Sequence, residues 1–136
     1  MQQIGARKSP AQLTSLRGTG YDPWEHAEEL DLQVLDRPLG TEKYLWLPDH
    51  FTLVIQSCIG HARQRIALAR GIGHAQLGHR KNWRKHKRQA DEYAITNLID
   101  HEELQELEQV SDDRQWISKE LGITRRLLEV YLRQVC

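Results

Sequence analysis

The sequence predicts an α+β domain: a small antiparallel sheet and a long helix, followed by further helices and a C-terminal helical hairpin. Three observations carry that expectation. Between residues 32 and 56 apolar side chains recur in short β-prone runs, broken at Pro38, Gly40 and Pro48. From His61 onward the spacing changes to steps of three and four, with Ala62, Ile66, Ala69, Gly73 and Leu77 on one stripe. Near the end, Gly122 and Thr124 stand together as a left-handed helix stop and a helix start. A chain of 136 residues, 39% hydrophobic and 28% charged, suits one domain with a single core.

Residues 1–20 hold Gly5, Pro10, Gly18 and Gly20 among Ser, Thr and Arg, so a flexible arm is expected there, with one helical turn around Gln12 to Arg17. The folded domain is expected over 21–136. Asp22-Pro23 is a helix-start pair, and Trp24, Ala27 and Leu30 follow at helical spacing, giving a short helix over 23–30. Strands are expected around Leu32 to Asp36, Tyr44 to Leu47 and Thr52 to Gln56. The long helix from His61 ends at Gly78. Its internal Gly71 and Gly73 each cost about 1 kcal/mol against alanine, so either packing elsewhere compensates or a close neighbour requires the missing side chains. A second helix covers Trp83 to Leu98, with Trp83, Ala90, Tyr93, Ala94, Asn97 and Leu98 toward one side, and Leu104 with Leu107 marks an acidic third. The hairpin spans 112–135.

Charge limits function less than its distribution suggests. Nineteen basic and nineteen acidic residues leave no net field. Yet Arg80 to Arg88 holds six Lys/Arg and no acid, and Asp100 to Asp113 holds seven Asp/Glu and no Lys/Arg. No stretch has the apolar length of a membrane span or a signal-peptide core, so a cytoplasmic protein without membrane association is expected. Cys58 and Cys136 make neither a disulfide framework nor a C-x-x-C metal pair and read as free thiols.

The stretch Ile66 to His79 has the outline of a zinc-peptidase helix with its chemistry removed. Such a helix carries H-E-x-x-H, because a four-residue step aims both imidazoles at one ion while the glutamate polarises its water. Here those five positions hold Arg70, Gly71, Ile72, Gly73 and His74.

Several separated blocks occur in order: Tyr21-Asp22-Pro23-Trp24, Arg65-x-x-Leu68-Ala69, Gly73-His74-Ala75-x-Leu77-Gly78-His79, Ala90-Asp91-x-Tyr93-Ala94 and Leu98-Ile99. Over residues 21–135 this arrangement resembles the ImmA/IrrE family of metallopeptidase-like proteins, in particular its actinobacterial and actinophage branch. The resemblance implies a small α+β domain with a zincin-like helix against a short sheet. It also implies a role in phage or mobile-element regulation through cleavage of a helix-turn-helix repressor. Carried across, the first zinc histidine falls on Arg70, the general base on Gly71, the second histidine on His74 and the third ligand on Lys87. Asp91 matches the residue that orients a ligating imidazole. An arginine cannot become a ligand, glycine has no side chain, and lysine is a cation where the ion needs an anion. The expectation is therefore no catalytic residues and no cofactor, zinc being the family's. An Arg70 to Asp91 ion pair would then join the helices in place of metal.

Other constellations compete. His74, His79, His86 and Asp91 or Glu92 offer a relocated metal site, with His74, His79 and Asp91 as its weak candidates; otherwise His79 faces helix-terminal carbonyls and His86 a solvated run. Cys58 and His61 lack an orienting third group for thiol catalysis. Arg84 and Lys85 in the basic stretch, and Arg125 and Arg126 at the head of a helix-turn-helix-like pair, are candidate nucleic-acid contacts, though residues 111–136 carry five bases against four acids. The leading reading is an inactive pseudo-metallopeptidase that binds a protein, a helix-turn-helix repressor in the first place, in the groove between the sheet edge and the 61–78 helix. An active divergent zinc peptidase and a DNA-associated regulator remain as alternatives.

Overall fold

A computed structural model describes residues 20–135. The expected turn at Gln12 to Arg17, the arm before Gly20, and Cys136 lie outside the described residues. The fold is α+β, with six helices and one three-stranded sheet among the described residues. Helix α1 (Pro23–Glu29) starts where Asp22 accepts from the backbone N–H groups of Trp24 and Glu25, a cap contributing about 1 kcal/mol. Strands β1 (Gln33–Arg37), β2 (Tyr44–Leu47) and β3 (Thr52–Gln56) follow, with one 3-10 turn at Pro48–His50 between the last two.

The sheet is mixed where an antiparallel one was expected. Its order is β1-β3-β2, with β2 antiparallel to β3 and β1 parallel to it, Gln33 opposite Thr52 and Arg37 opposite Gln56. Periodicity reports which faces are buried, not which edges pair. The short turn closes β2 on one edge of β3, leaving the other for β1, which enters from α1. All five residues of β3 are buried. Gln56 ties down the connection from β1: its amide nitrogen donates to the carbonyls of Gly40 and Glu42, and its oxygen accepts from Leu39 N–H at 2.8 Å.

Helix α2 (His61–Gln76) lies between two apolar clusters. Ala67, Leu68 and Ile72 join Ala27, Leu32, Leu53 and Ile55 beneath the sheet. Ile66 and Ala69 join the cluster made with α3 (Arg84–Leu98), α4 (His101–Val110), α5 (Arg114–Leu121) and α6 (Arg125–Val135). The helix is thus buried on more than one face, and the expected single stripe fails at its end, where Leu77 is 48% exposed. Burying a side chain such as Leu68 or Ile72 contributes about 1.5–3 kcal/mol, enough to outweigh the helix's two glycines.

The hairpin forms at the expected joint. Gly122 has φ +73 as the left-handed cap of α5, and Thr124 Oγ1 accepts from Leu127 N–H at the start of α6. Arg65, buried on α2, holds this joint to the body: its guanidinium donates to the carbonyls of Leu121, Gly122 and Tyr21. Trp83, expected on the buried side of α3, is 58% exposed. Among the described residues no helix is long and apolar enough to cross a membrane.

Candidate functional site

The positions singled out on α2 and α3 meet where these two helices cross. The crossing is close because Gly73 lacks a side chain: a Cβ there would stand 3.1 Å from the Ala90 backbone and 3.2 Å from Tyr93 Cβ. Two residues earlier, on nearly the opposite side of the helix, Gly71 lies under β3. A Cβ there would meet Leu53 Cδ2 at 2.2 Å, and Leu53 is fully buried. The two glycines therefore serve two different neighbours, a helix and a strand.

Arg70 Nε lies 2.9 Å from Asp91 Oδ1, the interhelical pair the sequence suggested. Asp91 is accordingly joined to a guanidinium and not to an imidazole. Lys87 is exposed in the first turn of α3.

His74 is buried, and both of its ring nitrogens are engaged. Tyr44 OH from β2 is 2.9 Å from Nε2, and Nδ1 is 2.9 Å from His79 Nδ1. His79 reaches this position because the chain turns back after α2, its own N–H donating to the His74 carbonyl at 3.0 Å. Trp46 Nε1 donates to the His79 carbonyl, tying the same turn to β2. The imidazole of His79, expected among helix-terminal carbonyls, instead points into the protein and is 5% exposed. His86, expected in solvent, is half-buried, stacked on His79 with ring centres 4.1 Å apart and on Trp83 at 5.2 Å. Stacking explains both departures, since it lets a polar ring cover apolar surface at the price of one exposed edge.

The proton directions along this chain follow from its end. His79 Nε2 faces Gln89 Oε1 at 2.9 Å, so Nε2 carries the hydrogen and Nδ1 accepts. His74 Nδ1 then donates to it, leaving Nε2 to accept from Tyr44 OH. Two neutral imidazoles satisfy every bond. Electrostatics agrees: burial first, then the unfavourable coulombic influence of His79, His86 and Lys87 on a protonated ring, pushes His74 down to about 4. Burial also lowers His79, against the opposing hydrogen bond to Gln89. Tyr44 is pushed up to about 12 by burial, with Asp91 adding to the rise and Arg70 opposing it.

Tyr44 and Gln89 were missed as site residues. Tyr44 reads as an ordinary strand residue and Gln89 as a helix-surface amide, and only the crossing brings them to the histidines. Among the described residues, no group of three His, Cys, Asp or Glu side chains gathers as metal ligands do. His79 and His86 lie face to face, so their nitrogens do not converge. The donor set around His74 does not fit a zinc ion.

The candidate nucleic-acid contacts occupy two separate places. Arg84 and Lys85 are exposed in the first turn of α3, Lys85 bordering the opening beside His79 and His86. Arg125 and Arg126 begin α6, where Arg125 Nε pairs with Glu129 at 3.0 Å and Arg126 borders a cleft between α2, α3 and α6.

No protein-family model matches the sequence, and no curated protein does. Among solved structures, a Mycobacterium tuberculosis transcriptional regulator is similar, with a TM-score of 0.59 and 15% identity over 77% of this chain. The chain spans 37% of that regulator's length. At such identity the likeness is one of fold.

Proposed function

We propose that this chain is an ImmA/IrrE-like regulatory domain that holds a protein partner and carries out no peptidase chemistry, with no zinc. The observation that carries this reading is the packing over Gly71. Where the family resemblance puts a general base, the space belongs to Leu53. A peptidase needs a group to take a proton from water, and none stands there. The ion pair of Arg70 with Asp91 and the full bonding of His74 support the same reading, since each group the chemistry would use is committed elsewhere. The fold likeness to a protein named as a transcriptional regulator supports a regulatory role. The partner class, a helix-turn-helix repressor, rests on the ImmA/IrrE resemblance.

Co-expression with a candidate helix-turn-helix repressor from the same genome tests the reading, using size exclusion, intact-mass spectrometry and metal analysis. A co-eluting complex with full-length repressor and no stoichiometric zinc is expected. A shortened repressor together with bound zinc would restore the divergent-peptidase alternative. Salt-sensitive retention on DNA without repressor binding would favour the DNA-associated one.

A further inference from the structure

The opposite flank of α2 is open. A cleft of about 580 Å³ lies between α2, α3 and α6, within the roughly 300–1,000 Å³ common for ligand sites. Its floor is aliphatic: Ile66 from α2, Ile95 from α3, and Leu127 and Val130 from α6. Around it stand Lys43, Arg63, Arg88 and Arg126, all exposed, and among the described residues none of their four side chains has a hydrogen-bond or ion-pair partner. Of the two acids at the rim, Asp91 is neutralised by Arg70, leaving Glu92.

We infer that this cleft binds a short acidic segment of a protein partner, with one or two aliphatic side chains on the floor and carboxylates at the four cations. The inference rests on the proposed protein-holding role and names the chemistry of the segment held. Charge complementarity selects the occupant. Cations around a concave apolar floor favour anions that carry an aliphatic body. Residues 1–19 of this chain include Arg7, Lys8 and Arg17 and no acid, so they do not match. Single-stranded nucleic acid prefers aromatic platforms for its bases, and no aromatic residue lines this cleft. Size narrows the choice further: two turns of helix, about 10–12 Å across and 10.8 Å long, overfill the space, so an extended or turned segment suits it better.

The test is fluorescence anisotropy with a labelled acetyl-Glu-Asp-Leu-Leu-Glu-Asp peptide, and with its Gln/Asn and Lys counterparts, on the full chain. Saturable binding of the acidic peptide alone is expected. The double variant Arg63→Glu with Arg126→Glu should weaken it about tenfold or more, and Lys81→Glu with Lys119→Glu, outside the cleft, should leave it within about twofold. Circular dichroism melting of each variant confirms folding. Equal loss in both variants, or equal binding of the uncharged peptide, would overturn the inference. So would binding of a small aromatic sulfonate dye to the cleft without any binding of the acidic peptide, or self-association abolished by the cleft variant. Repressor binding unchanged by the cleft variant, with no peptide binding, removes this inference and leaves the proposed function standing. Peptide binding in the cleft without repressor binding does the reverse.

Discussion

The two flanks of α2 differ in what surrounds them more than in what they carry. Toward the sheet, Gly71 lies under Leu53 and His74 is bonded to Tyr44 and His79, in a region closed to solvent. Toward α6, Arg63 and Arg70 stand at the rim of a cleft that solvent reaches. Both flanks hold ionisable groups, but only the closed one holds buried imidazoles, whose charged form desolvation disfavours. The zincin-like outline and the open surface of this helix are therefore separate features. Desolvation governs the first and unpartnered charge the second.

A side chain put back on the closed flank has the largest expected effect. Gly71→Glu must displace Leu53 and bury a carboxylate, and a loss of about 3 kcal/mol or more in urea unfolding is expected, against about 1–3 for Gly71→Ala. Restoring the motif through Arg70→His, Gly71→Glu and Lys87→Glu therefore starts from a damaged fold. A triple variant as stable as the parent would show that the sheet yields easily and that the flank is not closed.

Acid is the next probe. His74 titrates near 6.5 when unfolded and at about 4 when folded, so unfolding takes up a proton between these values. The penalty is absent above pH 6.5, grows as pH falls, and is complete below about 4. Its full size is on the order of 3 kcal/mol. Urea midpoints measured between pH 7 and 4 should fall less steeply in His74→Gln than in the parent. Identical slopes would mean that His74 is not held neutral.

The ion pair at the boundary of the flanks is worth less. Arg70 and Asp91 side chains are 30% and 45% exposed, so solvent screens them, and Arg70→Ala or Asp91→Ala should cost about 0.5–1 kcal/mol. A double-mutant cycle measures the pair itself; a coupling well above that range would make it a principal pin between α2 and α3. The smallest effect belongs to the open flank. Arg63→Glu and Arg126→Glu should each change stability by no more than about 0.5 kcal/mol, because both side chains are exposed and unpartnered.

Much of the site was legible at the level of single residues. Arg70, Gly71 and Lys87 depart by residue type from the zinc-peptidase pattern, and the two internal glycines point either to compensating packing or to close neighbours. The neighbours proved to be Leu53 on a strand and Ala90 on a helix. Tyr44 and Gln89 carried no signal, because a strand tyrosine and a helix-surface glutamine become partners of histidines only through the crossing.

By itself the sequence determined the helices, their caps at Asp22, Gly122 and Thr124, and the positions of the three strands, because caps and periodicity are local properties of the backbone. Tertiary structure alone decided that β1 runs parallel to β3, that α2 is buried on more than one face, and that His79 turns inward to meet His74. Those outcomes depend on which distant surfaces compete for the same apolar area, and spacing along one chain does not encode that competition residue by residue.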